Sequence, residues 1–439
     1  MSAGGVPGAT LAFLTFFALG FGFDFCFVAL RSPAAPSSGS FSRSFVRSRS
    51  LATGASARGA DLGSAFATRP REVERRDAPA YAVVAAAAQI TMDHPIQRLL
   101  TGFTVTTPSR GGQFVNKLAR VRVVSTSALP IDLAAQVAAA LPGAQVWVPA
   151  AGHAGVATTP LDGADALICL LLDRIDAAVL DRAPALRVVA NCAVGIDNVD
   201  VPAATARGIA VTNTPDVLTR ATAEFAFALV LAAARRLGEG ERLVRSGAWR
   251  GWALDQLLGA ELGGKQLGVV GFGRIGQAVA RRALGFEMSV VYADPSEHAG
   301  LPARRVATDE LFATSDVVSL HCPLTPETRR LVDARRLALM KPAAILVNAA
   351  RGACVDEPAL IEALEAGRIA AAALDVYDRE PALDPRLLAC PRLTLAPHLG
   401  SATTEARTQM AQLCADAVIA VLSGRRPPNL VNPDGWTAP

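Results

Sequence analysis

Short apolar runs alternate with stretches of helical periodicity along residues 120–435. The first such runs are rich in Val, Ile and Leu and predict strands at 120–127, 166–172, 186–193 and 209–213. Helical stretches separate them, which is the pattern of parallel strands joined by helical crossovers. Residues 219–237 then form a long run that is apolar on most sides, and this run predicts a buried helix between two domains.

A second series of strands follows this helix. The same criteria predict strands at 266–270, 288–293, 316–322, 343–350, 369–377 and 393–396. Two successive series of alternating strands and helices predict an α/β protein with two Rossmann-like, doubly wound parallel-sheet domains. In such sheets ligands bind outside the carboxyl ends of the strands, so the residues that follow each strand are the candidates for chemistry.

The first 119 residues depart from this pattern and predict targeting. Residues 9–30 form an almost uninterrupted apolar run that resembles a secretory signal, while 31–80 are rich in Ser, Ala and Arg, as transit peptides are. We expect 1–80 to be a targeting presequence of the two-part kind that leads to a plastid, followed by a linker at 81–119. A mitochondrial presequence, a signal anchor or a poorly translated extension are the alternatives. The presequence interpretation implies that only the leader contacts a membrane, and only transiently.

Composition argues against several other classes of function. Hydrophobic residues make up 51% of the chain and aromatic residues 5%, so Ala, Val and Leu supply the bulk of the core, as in α/β proteins. The net charge of +4 arises in residues 1–120, which hold 13 Lys and Arg against 6 Asp and Glu, so the body has no basic excess that favours nucleic acid. The seven cysteines show no paired spacing and the five histidines no ligand spacing, so we expect reduced thiols and no metal site.

The sequence GFGRIG, between the first two strands of the second series, has the spacing of a dinucleotide-binding turn. Gly271 permits the tight turn, Gly273 lets the backbone approach a pyrophosphate, and Gly276 lets the helix pack on the strand. Asp294 follows the next strand, 18 residues beyond the third glycine, where its carboxylate can accept hydrogen bonds from ribose hydroxyls and repel a 2′-phosphate. The pattern predicts NAD as the cofactor and favours NADH over NADPH.

The last three predicted strands end near side chains that suit the reduction of a carbonyl group. These side chains are Arg351, Glu380 and His398. A histidine is a natural proton donor near neutral pH, a neighbouring glutamate stabilises the imidazolium, and an arginine binds a carboxylate through a forked pair of hydrogen bonds. Each residue alone has a structural alternative, as a surface cation, a turn acid or a loop histidine. Their joint position on one rim of a dinucleotide-binding sheet favours catalysis.

Longer motifs around these residues resemble the D-isomer-specific 2-hydroxyacid dehydrogenases. The resemblance is carried by GFGRIGQAVARRALGF, NAARGACVDEPALIEALEAGRIAAAALDVYDREP and APHLGSATTEAR, and it covers about residues 120–433. A narrower likeness to glyoxylate/hydroxypyruvate reductases rests on NCAVGIDNVDV, TNTPDVLTRATAE, RSGAWRGW and GRRPPNLVNP. It implies NAD(P)H-dependent reduction of a small 2-keto acid, glyoxylate or hydroxypyruvate, to the D-2-hydroxy acid.

The resemblance also implies roles for individual residues. Arg351 would bind the substrate carboxylate and carbonyl, Glu380 would orient His398, and His398 would donate the proton. The backbone N–H groups of Val194 and Gly195 would hold the substrate carboxylate. The implied cofactor contacts beyond the glycine turn and Asp294 are Arg274, Ile275, Cys322, Pro323, Ala349, Ala350, Arg351, Asp375, His398 and Gly400.

Resemblance and pattern together imply a discontinuous, flavodoxin-like substrate domain. It comprises 120–217 and is completed by 404–435, while the NAD-binding Rossmann domain comprises 218–403. Trp252 resembles a tryptophan that reaches the substrate pocket of the partner subunit in some relatives, which implies a homodimer. Two alternatives stay open: another substrate, as in a D-lactate or 3-phosphoglycerate dehydrogenase, or NADH sensing without turnover, as in a co-repressor-like scaffold.

Overall fold

The computed structural model describes residues 121–436, and these form two parallel β-sheets with helices packed against them. The predicted presequence, 1–80, and the predicted linker, 81–119, lie outside the described residues. No helix between 121 and 436 is both long and apolar enough to cross a lipid bilayer. The predicted α/β fold with two parallel-sheet domains is confirmed.

The first sheet contains five parallel strands in the order β2-β1-β3-β4-β5. The strands are β1 Arg122–Ser125, β2 Gln145–Trp147, β3 Ala166–Cys169, β4 Val188–Asn191 and β5 Ala210–Thr212. The three strands β3 to β5 are buried along their whole length, which explains why each was visible as an unbroken apolar run.

Short helices connect these strands, and aspartates begin them. The helices are α1 Leu133–Ala140, α2 Ala177–Asp181 and α3 Val201–Ala206. The side chains of Asp132, Asp176 and Asp200 each accept a hydrogen bond from the backbone N–H three residues later, at 2.9, 3.2 and 2.9 Å. These N-caps satisfy N–H groups that have no partner within the helix, and so set where each helix starts.

The second sheet contains seven parallel strands in the order β12-β11-β10-β9-β6-β7-β8. The strands are β6 Gln266–Val270, β7 Ser289–Ala293, β8 Ala303–Arg305, β9 Val317–Leu320, β10 Ile345–Asn348, β11 Ala371–Leu374 and β12 Leu393–Leu395. The remaining helices are α4 Thr219–Ala234, α5 Leu237–Arg245, α6 Arg274–Gly285, α7 Thr308–Thr314, α8 Ala334–Leu339, α9 Glu357–Glu365, α10 Pro385–Ala389 and α11 Thr404–Leu422.

Helix α4 is the buried helix that the sequence predicted, but it is shorter than expected. It packs on α6 and on strands β10 and β11, and its Ala, Leu, Val and Phe side chains join the core of the second sheet. The single helix predicted for 219–237 is wrong at its end, since α4 stops at Ala234. Arg236 has a φ of 53°, which no α-helix accommodates, and the chain turns there into α5.

Helix α11 carries the chain back to the first sheet. It packs on β4 and α1, and the segment after it is fastened to β5. Val211 donates its N–H to the side-chain oxygen of Asn432 at 2.7 Å and accepts from the N–H of Val431 at 2.8 Å. The first domain is therefore built from two separate parts of the chain.

Strands β2 and β8 were not predicted from the sequence. Both lie at an outer edge of a sheet and have only three residues, QVW and ARR, with much of their surface exposed. Edge strands of this kind carry no alternation or apolar run, because only a small part of each is buried.

Candidate active site

A cleft of about 470 Å³ lies between the carboxyl ends of the two sheets. Residues that follow β4 and β5 form one wall, and residues that follow β6, β9, β10, β11 and β12 form the other. The predicted site residues that line it are Val194, Gly195, Gly273, Arg274, Ile275, Cys322, Pro323, Ala349, Ala350, Arg351, Asp375, His398 and Gly400. Trp252 does not line this cleft, and 81% of it is exposed.

The glycine turn after β6 is built as the sequence predicted. Gly271 has a φ of 85°, and a Cβ there would lie 2.6 Å from the backbone nitrogen of Cys322. A Cβ at Gly276 would overlap with the carbonyl oxygen of Gly271. A side chain at either position would therefore push the turn away from its neighbours.

The start of helix α6 is open towards the cleft. A Cβ at Gly273 would meet nothing within 4 Å, and no side chain caps the helix. Within residues 121–436, the N–H groups of Arg274 and Ile275 have no acceptor. Unpaired N–H groups at a helix start bind phosphate oxygens, so this turn fits the pyrophosphate of a nicotinamide dinucleotide.

Asp294 lies beside the glycine turn and helps to hold it. Its carboxylate accepts hydrogen bonds from the N–H groups of Phe272 at 2.7 Å and Ser296 at 2.9 Å, and lies 3.2 Å from Nε2 of His298. Partial burial opposes the charged form, but the hydrogen bonds from Ser296, Phe272 and His298 outweigh it, and the pKa of Asp294 is lowered. Asp294 is therefore a fixed negative charge at the end of β7, although it does not line the cleft.

His398 and Glu380 form a direct pair. Nδ1 of His398 lies 2.7 Å from one carboxylate oxygen of Glu380, and the other oxygen accepts the N–H of Tyr377 at 2.9 Å. The two side chains are 28% and 18% exposed. Because the carboxylate holds Nδ1, the ring is oriented and Nε2 is the nitrogen free to meet a substrate.

Asp375 fixes the loop that presents His398. Its carboxylate is buried and accepts the N–H groups of Leu399 at 2.6 Å and Gly400 at 2.8 Å, while its carbonyl accepts the N–H of His398. Burial raises the pKa of Asp375, and these two hydrogen bonds partly offset the rise. The backbone of His398 has a φ of 55°, so this loop is held in a conformation that a histidine rarely adopts.

Arg351 extends from the loop after β10 across the cleft. Its Nε donates to the carboxylate of Asp197 at 2.9 Å, and its Nη1 donates to the carbonyl of Ala350 at 2.8 Å. Its Nη2 occupies the space that a Cβ of Gly195 would need. A Cβ at position 195 would therefore displace the end of the Arg351 side chain, and this effect is purely steric, since the φ of Gly195 is not in the left-handed region.

The loop after β4 presents the backbone N–H groups of residues 194–196 without an acceptor among the described residues, and we call these three groups the N–H cradle. The carbonyl oxygens of Ala193, Val194 and Gly195 accept hydrogen bonds from Thr214 N at 2.9 Å, Asn213 Nδ2 at 2.8 Å and Asn191 Nδ2 at 2.8 Å, respectively. In a trans peptide the following N–H points the opposite way from the carbonyl. The N–H groups of residues 194 to 196 are thus directed away from the first domain, and no acceptor among residues 121–436 engages them.

Sequence reasoning predicted two of these N–H groups but missed the side chains that orient them. Asn191 ends the buried strand β4, Asn213 directly follows the buried strand β5, and Asn191 is fully buried. A buried amide at a strand end is a signal that was available, because such a group must find hydrogen-bond partners. Asp197 was missed as well, since nothing near it in the sequence indicates a contact with Arg351.

His321 also borders the cleft, next to Cys322. Its Nε2 lies 2.8 Å from the hydroxyl of Ser319, while its Nδ1 is buried without a hydrogen-bond partner among the described residues. Burial lowers the pKa of His321 to about 4. This imidazole is neutral at physiological pH and does not act as the proton donor.

A larger cavity of about 1080 Å³ also borders His398. Its walls are mostly apolar and include Leu129, Leu172 and Leu388, and the guanidinium of Arg351 does not reach it. The chemistry therefore belongs to the smaller cleft, where the cradle and Arg351 lie. The residues between 121 and 436 contain no group of three or more His, Cys, Asp or Glu side chains arranged to hold a metal ion.

Known proteins share both the sequence and this architecture. Residues 227–400 match the family described as D-isomer specific 2-hydroxyacid dehydrogenase, NAD binding domain. The chain is 49% identical over 303 residues to a glyoxylate reductase of Thermococcus litoralis, which covers 67% of this chain and 92% of the relative. A further relative, the glyoxylate reductase of Pyrococcus furiosus, is 52% identical over 276 residues and matches 61% of this chain and 82% of its own length.

Among solved structures, that of an NADPH-dependent glyoxylate/hydroxypyruvate reductase from Sinorhizobium meliloti, in complex with NADP and malonate, superposes with a TM-score of 0.64. It is 32% identical and covers 72% of this chain and 98% of its own. The glycine turn, the cross-cleft arginine and the His–Glu pair lie in the region of similarity. The chain belongs to the D-isomer-specific 2-hydroxyacid dehydrogenases and is an oxidoreductase that depends on a nicotinamide cofactor.

Proposed function

We propose that this protein reduces glyoxylate to glycolate, and hydroxypyruvate to D-glycerate. The observation that carries the proposal is the convergence of three groups in one cleft: the N–H cradle at 194–196, the guanidinium of Arg351 and the pair of His398 with Glu380. A 2-keto acid has a carboxylate and an adjacent carbonyl. The cradle and Arg351 suit the carboxylate, and Arg351 and His398 suit the carbonyl. Relatives with about half of their residues identical are glyoxylate reductases, which supports the choice of substrate.

The chain's own residues account for substrate binding and proton transfer. The cradle takes the carboxylate through backbone N–H groups, and the Nη groups of Arg351 bind carboxylate and carbonyl together, which fixes the carbonyl in one orientation. His398 donates a proton from Nε2 to the carbonyl oxygen as it gains negative charge, and Glu380 stabilises the imidazolium before transfer. When bound at the glycine turn, the nicotinamide cofactor supplies the hydride.

We infer that NADH is used in preference to NADPH. The support is Asp294, whose lowered pKa keeps a negative charge at the end of β7, close to where a 2′-phosphate would lie. The neighbouring Arg305 is committed to the carbonyls of Asp294 and Pro295, at 2.9 and 2.6 Å. The carboxylate of Asp294 would therefore repel a 2′-phosphate, and the guanidinium of Arg305 already donates to backbone carbonyls.

Steady-state kinetics on the full-length protein test the substrate and the cofactor together. The panel contains glyoxylate, hydroxypyruvate, pyruvate and phosphohydroxypyruvate, each with NADH and with NADPH. We expect the highest kcat/KM with glyoxylate or hydroxypyruvate as substrate and NADH as cofactor. A preference for pyruvate or phosphohydroxypyruvate would establish the D-lactate or phosphoglycerate alternative, and NADH binding without turnover of any keto acid would establish a sensing scaffold.

We also propose that the active form is a homodimer. Large apolar side chains are exposed along 237–258, among them Trp252 and Leu254 at 81% each and Leu258 at 67%. A concentrated apolar surface of this kind is typical of a subunit interface. Light scattering after size-exclusion chromatography would show about twice the chain mass, and Trp252→Ser would weaken the dimer and raise KM for the keto acid. A monomeric wild-type enzyme with full activity would contradict the proposal.

We propose that residues 1–80 direct the protein to an organelle, with the plastid first and the mitochondrion as the alternative. The signal-like run at 9–30 followed by the Ser-, Ala- and Arg-rich segment at 31–80 supports this. Imaging of residues 1–80 fused to a fluorescent protein tests it, and a diffuse cytosolic signal would refute it.

A further inference from the structure

The cleft holds acidic side chains as well as groups that suit an anion, and one of them, Asp197, contacts the substrate-binding arginine. Asp197 lines the cleft beside the N–H cradle and is 33% exposed, and its carboxylate would weaken the attraction of the cleft for a substrate carboxylate. This repulsion lowers the affinity for the substrate, so we ask which other contribution of Asp197 offsets it. The Asp197 carboxylate lies 2.9 Å from Nε of Arg351, so the contribution concerns the position of that arginine.

The guanidinium of Arg351 has an inner edge that is occupied by the protein and an outer edge that is free. Nε donates to Asp197, and one N–H of Nη1 donates to the carbonyl of Ala350. Nη2 lies against Gly195 and has no acceptor among residues 121–436. The free N–H groups of Nη2 therefore lie beside Gly195, one of the residues of the cradle.

We propose that Asp197 is a positioning residue for the reduction, resting on the proposed function. It holds the Nε edge of Arg351 so that the Nη edge is presented to the substrate. The two side chains come from opposite walls of the cleft, from the loop after β4 and the loop after β10, and are separated by 154 residues in the chain. Arg351 belongs to the second sheet and the cradle to the first. The contact with Asp197 therefore also holds the arginine at a fixed position relative to the cradle.

The alternative is that Asp197 merely competes with the substrate for Arg351. The two hypotheses make opposite predictions for removal of the carboxylate. A competitor, once removed, leaves a stronger anion site. A positioning residue, once removed, leaves an arginine whose long side chain samples several rotamers, and binding then has to restrict them again.

Asp197→Ala and Asp197→Asn separate these hypotheses. The asparagine keeps an oxygen that accepts from Nε and loses the charge, whereas alanine loses both. We expect Asp197→Ala to lower kcat/KM for glyoxylate about 30-fold, through a higher KM and a lower kcat, in line with the loss of one charge-assisted hydrogen bond. Asp197→Asn recovers most of this activity.

Binding of oxamate to the complex with NADH, followed by nucleotide fluorescence, measures the same effect without turnover. We expect Asp197→Ala to weaken oxamate about 10-fold or more and to leave the dissociation constant of NADH unchanged. Tighter oxamate binding would instead show that Asp197 is a competitor and would overturn the proposal. Loss of activity in Asp197→Asn equal to that in Asp197→Ala would also overturn it, since the hydrogen bond to Nε would not be what matters.

Asp181→Ala is the matched control. Asp181 also accepts from an arginine of the same domain, at 2.7 Å from Nη2 of Arg207, but the pair lies on the surface outside the cleft. Its kinetics are expected to equal those of the wild type. If the wild type binds oxamate but reduces no keto acid, the proposed function fails while the role of Asp197 is still measured. If it neither binds oxamate nor reduces a keto acid, both fail.

Discussion

Replacing Glu380 with glutamine tests whether the pair with His398 supports proton donation. In the structure one Glu380 oxygen accepts from Tyr377 N at 2.9 Å and the other lies 2.7 Å from His398 Nδ1. In Glu380→Gln the amide oxygen can still accept from Tyr377, which places the NH₂ group against Nδ1. Two donors then face each other whenever His398 is protonated, so the imidazolium loses its partner.

The magnitude follows from this contact. A hydrogen bond to a charged group contributes about 2 kcal/mol, and the pair is less than a third exposed, so little of this is lost to solvent screening. At about 1.4 kcal/mol per factor of ten, loss of this contact lowers kcat for glyoxylate reduction at neutral pH about 30-fold.

The assay is kcat for glyoxylate reduction at neutral pH and saturating NADH. Glu357→Gln is the control, because the Glu357 carboxylate also accepts a backbone N–H, that of Asp378 at 2.8 Å, in the neighbouring turn. It does not contact His398, and its kcat should match that of the wild type. If Glu380→Gln kept a rate within threefold of the wild type, the reasoning from the pair would be refuted.

Four further changes test other parts of the site. His398→Gln should lower kcat at least 100-fold in the same assay, as expected for a general acid, and a near-normal rate would remove it from the mechanism. Gly195→Ala should lower kcat/KM about 100-fold without lowering the thermal unfolding temperature, because the methyl group takes the place of an Arg351 nitrogen. Asp294→Asn keeps a hydrogen-bond acceptor and removes the charge, so kcat/KM with NADPH should rise at least 10-fold relative to NADH; an unchanged ratio would contradict the proposed selection. His321 has a folded-state pKa of about 4, below its ordinary 6.5, so the unfolded chain binds the proton first and the stability falls as the pH drops from 6.5 towards 4. Between pH 7 and pH 5 the free energy of unfolding in urea should therefore fall by about 2 kcal/mol less in His321→Gln than in the wild type.

Local patterns were enough for most of the fold. A buried parallel strand is an apolar run, so ten of the strands were visible in the sequence, and β6 has the predicted bounds, 266–270. Predictions failed where the local sequence carries the weakest signal for an element. These places are the exposed edge strands β2 and β8, and the end of α4, where one residue in a left-handed conformation stops the helix. The glycine turn was also visible, because Gly271 and Gly276 answer steric demands made within a few residues or at the end of the adjacent strand, and Gly273 leaves the start of α6 open.

The amino-acid sequence by itself determined which chemistry this protein carries: a glycine turn for a dinucleotide, a fixed acid after the next strand, and an arginine, a glutamate and a histidine at three strand ends. Only the tertiary structure decided how those groups are aimed. Asn191 and Asn213 turn the peptide carbonyls of the cradle inwards, and Asp197 reaches Arg351 from the opposite sheet. The physical reason is that a strand or a turn is specified by contacts between near neighbours in the chain. The orientation of a side chain in a cleft depends on how two sheets, built from different parts of the chain, are packed.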